Sequence, residues 1–334
     1  MQTIVSQLSK LDWDFKKADT NYSTHGFHTY PAMMIPQIAR RLIELYGLNA
    51  KTIIDPFVGS GTTMVEATLH NNFEMAYGLD INPLALLLAK VKTTKLDFAE
   101  LENEHINLSD RIKNFKSEKA TFPHFQNIGF WFNPSVVKEL AIIKNSIDAI
   151  TENKFKDVFL VAFSETVRTV SNTRNGEFKL YRIPQKELEN FNPNVLNEFE
   201  KNVSYNIAKM KEYFLERKKC AVNLLDEDTR KIKSIPRNSV DLLISSPPYG
   251  DSRTTVAYGQ FSRLALQWLG YDSERVKSID KTSIGGIPTK ELKNGLHSPS
   301  LKKTLPNISS IDPKRAKDVL SFYEDFWQCV KEID

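Results

Sequence analysis

Cysteine is nearly absent from this chain. Two occur in 334 residues, Cys220 and Cys329, far apart and outside any CxxC or Cys/His spacing. Neither a zinc site nor a disulfide framework is indicated, no metal is expected, and a reducing cytoplasm suits the composition. Long apolar runs are missing as well. No stretch approaches the roughly 18 residues a membrane span needs, and Met1 to Asp14 mixes polar and charged residues without an apolar centre. Neither a targeting segment nor a membrane anchor is expected. Charge of one sign is not in large excess: Lys and Arg number 45 against 41 Asp and Glu, a net charge of +4. That balance admits a nucleic-acid partner without requiring one. Two nucleotide signatures are also missing, the GxGxxG spacing of dinucleotide folds and the GK[ST] of phosphate loops.

What is present is a pattern of short apolar runs alternating with helical periodicity. Thr52 to Ile54, Met75 to Leu79, Ala221 to Leu225 and Val240 to Ile244 are apolar on successive residues and end in polar turns, as buried parallel strands do. A helix is expected from Thr62 to about Asn71, and another from Pro83 to Lys92 with Asn82 as its cap and Pro83 in its first position. Ahead of the first strand, Ile38, Leu42, Ile43 and Tyr46 give helical spacing over Pro36 to Tyr46, with Gly47 as the stop. Strands alternating with helices imply an α/β fold with a covered parallel sheet.

About 140 residues separate the second strand from the third, far more than a crossover needs. Helical spacing recurs there at Val136, Val137, Leu140 and Ile143, at Val158, Phe159, Ala162 and Val167, and at Val203, Ile207, Met210 and Phe214. The chain therefore divides into residues 23–96, a helical insert over 97–219 that is a candidate DNA-recognition region, and residues 220–334. In the last part a helix is expected near Phe261 to Leu269, then a long loop from Lys281 to Pro313, then an amphipathic helix from Pro313 to Ile333.

Two sites carry the chemistry. Asp55-Pro56-Phe57-Val58-Gly59-Ser60-Gly61-Thr62-Thr63 turns a strand into a helix, and its glycines allow close approach of a ligand to the backbone. An ordinary turn, or a loop for another nucleotide, is the alternative. The Asp ahead of the turn suits the amino group of a methionine moiety better than a phosphate. The second strand ends in Asp80, where doubly wound sheets hold a ribose, although Asp80 also suits a helix cap. Asp228, after the third strand, is a weaker candidate for an adenine amino group. Ser245-Ser246-Pro247-Pro248-Tyr249-Gly250 follows the fourth strand. Its carbonyls and the Ser246 hydroxyl can accept hydrogen bonds from an amino group, and Tyr249 offers a ring for a planar base to stack on. Standing alone, the motif would be read first as a rigid surface turn.

Taken jointly, DPFVGSGTT, GLDINP and SSPPYG, with Thr24-His25-Gly26-Phe27-His28-Thr29-Tyr30-Pro31-Ala32 ahead of them, resemble the amino-methyltransferases of restriction–modification systems. The resemblance covers roughly residues 23 to 95 and 221 to 334. It implies a Rossmann-like class I methyltransferase fold, S-adenosylmethionine as cofactor and DNA as partner. It also implies that His28, Tyr30, Pro31, Asp55, Phe57, Gly59, Gly61, Thr62, Asp80, Asn82 and Asp228 hold the cofactor, and that Ser246, Pro247, Pro248 and Tyr249 form the catalytic loop. In that family a Ser ahead of the two prolines goes with the 4-amino group of cytosine, and Asp or Asn with the 6-amino group of adenine. Ser246 therefore points to cytosine in a base flipped from the duplex.

For DNA contact, two basic segments stand out. One is Arg168 to Arg182, and the other carries Lys281, Lys290, Lys293, Lys302, Lys303, Lys314 and Arg315; a solvated surface accounts for any single Lys equally well. Three competing readings remain: an adenine-N6 methyltransferase, an RNA methyltransferase acting on a guanine amino group, and an inactive fragment or subunit. A sheet of the resembled family has seven strands, and only four runs are found here. The expectation is a chain short of its C-terminal strands, either part of a longer or interrupted product or one half of a split enzyme whose sheet a second chain completes, leaving the Val240 to Ile244 strand as an open edge.

Overall fold

The computed structural model describes residues 8–70, 72–251, 255–293 and 295–334. At its centre lie four parallel strands, β1 (Thr52–Asp55), β2 (Met75–Asp80), β3 (Ala221–Asp226) and β4 (Leu242–Leu243), in the order β3-β2-β1-β4. β1, β2 and β3 each run one residue past the apolar stretch and finish on an aspartate. Asp55 lies opposite Gly78, and Asp80 opposite Asp226. The carboxyl ends thus form one rim. From β1 the chain moves outward to β2 and β3, then returns to the other side of β1 for β4, and this reversal is where open α/β sheets bind ligands.

The expectation of four buried strands holds in the middle of the sheet and fails at its edges. Ile53 and Ile54 in β1 are buried, whereas β3 is partly exposed along its length and Leu243 in β4 is 41% exposed. β4 also pairs over only two residues of its apolar run. Asp241 closes one end by accepting hydrogen bonds from the amides of Lys51 and Thr52 at 2.8 and 2.9 Å. At the other end come Pro247 and Pro248, which cannot donate to a ladder.

Around the sheet, α1 (Pro36–Tyr46), α2 (Thr62–His70) and α3 (Pro83–Thr93) stand where the periodicity puts them; Asn71, the expected end of α2, lies outside the described residues, as do residues 1–7. The Asn82 side chain accepts from the Leu84 amide to cap α3. Gly47 does end α1, but with a φ of −88°, so no left-handed turn is used. The insert holds α4 (Phe98–Lys113), α5 (Ile128–Trp131), α6 (Pro134–Asp148), α7 (Asn153–Val170), α8 (Gln185–Leu188) and α9 (Val195–Glu216). Leu140, Phe159 and Val203 from three of these join Leu84 and Leu88 of α3 in one apolar cluster. The insert therefore shares a core with the sheet region.

After β4 come α10 (Tyr258–Leu269), α11 (Ser273–Thr282), α12 (Pro299–Ile311) and α13 (Pro313–Ile333). The long loop expected from Lys281 to Pro313 is corrected by α12. Ser298 caps that helix by accepting from the Leu301 amide, and Leu301 and Leu305 pack on Ala316 and Leu320 of α13. Apolar residues four apart outweigh a segment rich in Lys, Ser and Pro, with Pro299 placed where helices tolerate it. Among the described residues, no helix is long and apolar enough to cross a membrane.

Candidate active site

The floor of the site is the turn from β1 into α2. Asp55 is 2% exposed, and one of its oxygens accepts from the Phe57 amide at 3.0 Å and the Ser245 hydroxyl at 2.6 Å. Its other oxygen accepts from the Thr63 hydroxyl at 2.6 Å. Burial raises the Asp55 pKa, and these donors offset part of that. Asp55 thereby joins the turn to the loop that leaves β4. Gly59 sits at φ +50°, yet an added Cβ would meet nothing nearer than 3.7 Å. Backbone conformation, rather than crowding, requires glycine there. Gly61 is different: its Cβ would lie 2.8 Å from the backbone of Ala89 in α3, so this glycine lets two helices close up.

At the end of β2, Asp80 accepts from the Gly59 amide at 3.1 Å with one oxygen and from the Asn82 amide at 2.8 Å with the other. Burial pushes its pKa up to about 6; the two amides oppose that rise, and the nearby charge of Asp55 adds to it. The Asn82 amide nitrogen donates to the Tyr30 hydroxyl at 3.1 Å and to Ser262 at 2.8 Å. Tyr30 stacks against Tyr258, with centroids 6.2 Å apart and planes 29° apart. The Tyr258 pKa is pushed up to about 12 by burial, then by the charges of Asp80 and Tyr249.

These groups surround a cavity of about 980 Å³, its open mouth included. Of the expected residues, Asp55, Phe57, Gly59, Thr62, Asp80 and Asn82 line it, as do Tyr30, Pro31 and Asp228. From the catalytic loop, Ser246 and Pro248 reach the wall. Gly61, Pro247, Tyr249 and His28 do not. Tyr249 stands 62% exposed with its hydroxyl 3.2 Å from that of Ser246. His28 is buried behind the wall, with Nδ1 2.6 Å from the Thr29 carbonyl oxygen and 3.2 Å from Glu165. Met33, Met34, Thr229, Tyr258, Ile279 and Ile284 line the cavity unanticipated. The last two belong to α11 and its exit, a helix announced only by Asp272, whose side chain accepts from the amides of Glu274 and Arg275.

The wall carries four carboxylates, those of Asp55, Asp80, Glu227 and Asp228, and no Lys, Arg or His among the described residues. Arg230 pairs with Asp228 at 2.6 Å from outside the wall; the remaining carboxylates disfavour a phosphate, whereas a cationic sulfonium with a diol and an amino group is matched. The Ser60 hydroxyl, buried in the same wall without a hydrogen-bond partner among the described residues, supplies a further polar contact for such a molecule. S-adenosylmethionine fits this donor and acceptor set.

A parallel α/β sheet with an acidic cavity at its switch point is the setting of a Rossmann-like methyltransferase, and its lining matches S-adenosylmethionine. The family model described as DNA methylase, of the N6/N4 group, matches residues 6–91. The chain is 39% identical over 364 residues to the type II methyltransferase M.MvaI of Kocuria varians, an alignment covering 99% of this chain and 79% of that protein. It is 22% identical over 328 residues to the type II methyltransferase M.BsoBI of Geobacillus stearothermophilus, covering 88% and 63%. A shorter match, 33% over 114 residues, joins it to the type II methyltransferase M.MjaII of Methanocaldococcus jannaschii, covering 32% and 21%. No solved structure matches the chain. This protein belongs to the DNA amino-methyltransferases of restriction–modification systems.

Proposed function

We propose that this DNA methyltransferase acts on the exocyclic N4 amino group of cytosine. The observation that carries methyl transfer to an amino group is that Ser246 and Pro248 stand in the wall of the same cavity as Asp80; the choice of cytosine rests on Ser246 standing where Asp or Asn would point to adenine. An amino nitrogen conjugated with its ring is a poor nucleophile, and acceptors that draw on its hydrogens return electron density to it. In this reading the Ser246 hydroxyl and the Pro247 carbonyl are those acceptors, and Tyr249 stacks on the flipped base. S-adenosylmethionine, when bound, supplies an electrophilic methyl group. Asp80 holds its ribose, Asp228 its adenine, and the turn from Asp55 to Thr62 its methionine end. Tyr30 and Pro31 close the side, while His28 and Gly61 support the wall from behind. Alignment of this kind contributes about 7–11 kcal/mol toward lowering a barrier.

Residues 23–96 and 220–334 form the methyltransferase part in this proposal, and the insert over 97–219 faces the DNA in the cytoplasm. The edge of β4, with Leu243 41% exposed, is a place where a second chain adds strands to the sheet. The test is to incubate the purified protein with labelled cofactor and either duplex DNA or RNA, then digest to nucleosides and identify the labelled one by mass. 4-Methylaminocytosine in DNA is the expected product. Label on the 6-amino group of adenine overturns the assignment of the base and leaves the rest standing, and label found in RNA alone overturns the substrate.

A further inference from the structure

The segment after α7 folds back as a small antiparallel hairpin. The Arg174 amide donates to the Tyr181 carbonyl at 2.9 Å, the Ile183 amide to the Asn172 carbonyl at 3.0 Å, and Thr173 bridges Arg182. Its root is buried at Ser171, Asn172 and Thr173; its tip is exposed from Arg174 to Phe178. Phe178 and Tyr181 are 46% and 49% exposed, which leaves both rings open to a planar partner. The Arg174 guanidinium has no carboxylate partner among the described residues.

Two links tie this hairpin to the cavity wall. On one side Arg168 donates to the Asn175 carbonyl at 3.1 Å and to the Thr29 hydroxyl at 3.2 Å, while Glu165 holds the same guanidinium at 2.8 Å and accepts from the Thr29 amide at 3.2 Å. Thr29 precedes Tyr30. On the other side, the Leu180 amide donates to the Gln260 side chain at 3.3 Å, two residues beyond Tyr258. Tyr30 and Tyr258 are the stacked pair in the cavity wall. A basic and aromatic hairpin is thus fixed to the chain neighbours of the two stacked tyrosines that line the cavity. The other Arg and Asn side chains of the segment are spent on structure. Arg168 is engaged as described, Arg182 lies over the Phe130 ring at 4.5 Å, and the Asn175 side-chain oxygen accepts from Arg168 at 3.3 Å.

We infer that this hairpin reads the DNA around the target base. Arg174 faces a guanine edge in the major groove, the Phe178 and Tyr181 rings stack on bases beside the gap left by the flipped one, and Arg168 is the positioning residue that fixes the hairpin to the wall. The inference rests on the reading of the protein as a DNA methyltransferase. It is tested by methylating a random-sequence duplex library and reading the modified positions by single-molecule sequencing, alongside kinetics on one preferred duplex and calorimetric titration of the cofactor. Arg174→Ala is expected to lower kcat/KM on DNA by about ten- to a hundredfold and to relax the preferred sequence at one position, with cofactor affinity held within about twofold. Arg168→Ala is expected to raise KM for DNA, and the double variant to lose less than the product of the two single losses, because both act through one element. An unchanged sequence preference and unchanged kcat/KM in Arg174→Ala overturn the inference. Strictly additive losses in the double variant overturn the part assigned to Arg168. A parent protein that methylates no DNA removes the functional reading itself, whereas an active parent with indifferent variants removes this inference alone.

Discussion

The cofactor wall and the base-facing loop sit on the same rim of the sheet and are built on opposite terms. In the wall the charged groups are already held. Asp55 accepts from three protein donors, Asp80 from two backbone amides, and Asn82 spends its side chain on α3, Tyr30 and Ser262. In the loop, Ser246 and Tyr249 share one hydrogen bond at 3.2 Å, and the Tyr249 ring is mostly in solvent. The difference teaches where ordering falls in the cycle. On the proposed roles, a small ligand that binds first would meet a preformed cavity, and the groups that act on the base would be completed only by the base itself.

The comparison breaks most visibly at the loop. On the proposed roles, Ser246→Ala should lower kcat by about 100-fold, as loss of one group aimed at the reacting atom does elsewhere. Tyr249→Ala should remove one stacking platform, worth about 1–3 kcal/mol, while Tyr249→Phe keeps most of the activity. Both Ala variants should bind S-adenosylmethionine within about twofold of the parent by calorimetry. A large loss of cofactor affinity in either would mean that loop and wall are not separate parts.

At the wall the expected effect is on affinity. Asp80→Ala removes the acceptor proposed for the ribose and also frees the amides of Gly59 and Asn82. At about 1.5–3 kcal/mol for a hydrogen bond to a charged group, cofactor binding should weaken by at least tenfold. The same carboxylate sets a pH dependence. Hydroxyl donors favour the ionised form, so affinity should be full above its pKa of about 6 and fall toward tenfold per unit as pH drops below it. A titration of affinity between pH 5 and about 8 checks this, and a flat profile identical to that of Asp80→Ala would remove Asp80 from the ribose site.

Much of this wall was readable from residues in order along the chain, because β1, its turn, β2 and the cap of α3 lie within Thr52 to Thr93. Tight turns and caps are local, and local rules locate them. The remaining wall is assembled across long sequence distances. Tyr258, Ile279 and Ile284 come from the far end of the chain, and nothing in their neighbourhood distinguishes cavity-lining apolar residues from core. His28 shows the converse: its motif was recognisable, yet one residue of register separates Tyr30, in the cavity, from a Thr29–Glu165 contact behind it. Composition misled at α12, where Lys, Ser and Pro masked Leu301 and Leu305 on one helix face. The edge strands were misread for a related reason, since apolar runs do not reveal how many neighbours a strand will have.

A smaller effect is expected from Gly59→Ala, which tests whether the wall depends on backbone shape. At φ +50° a side chain costs about 1–2 kcal/mol, and no atom within 3.7 Å adds a clash. Denaturant unfolding should show a loss of that size without cofactor. A much larger loss would point to crowding, and none at all to a turn that relaxes freely.

The smallest effect belongs to a hydrogen bond that crosses between the two regions. Ser245 leaves β4, and its hydroxyl reaches Asp55 at 2.6 Å, so it is a link through which the wall can hold the loop. Ser245→Ala leaves Asp55 with its Phe57 and Thr63 donors, which should preserve the turn and most of the cofactor affinity. The base of the loop loses a bond worth about 0.5–1.5 kcal/mol. The expected outcome is therefore a drop in kcat of about two- to tenfold, with cofactor affinity changed by less than the drop in kcat. Equal losses in both would show that Asp55 needs all three donors to hold the turn, and an unchanged kcat would show that the loop takes its position from the DNA instead of from the wall.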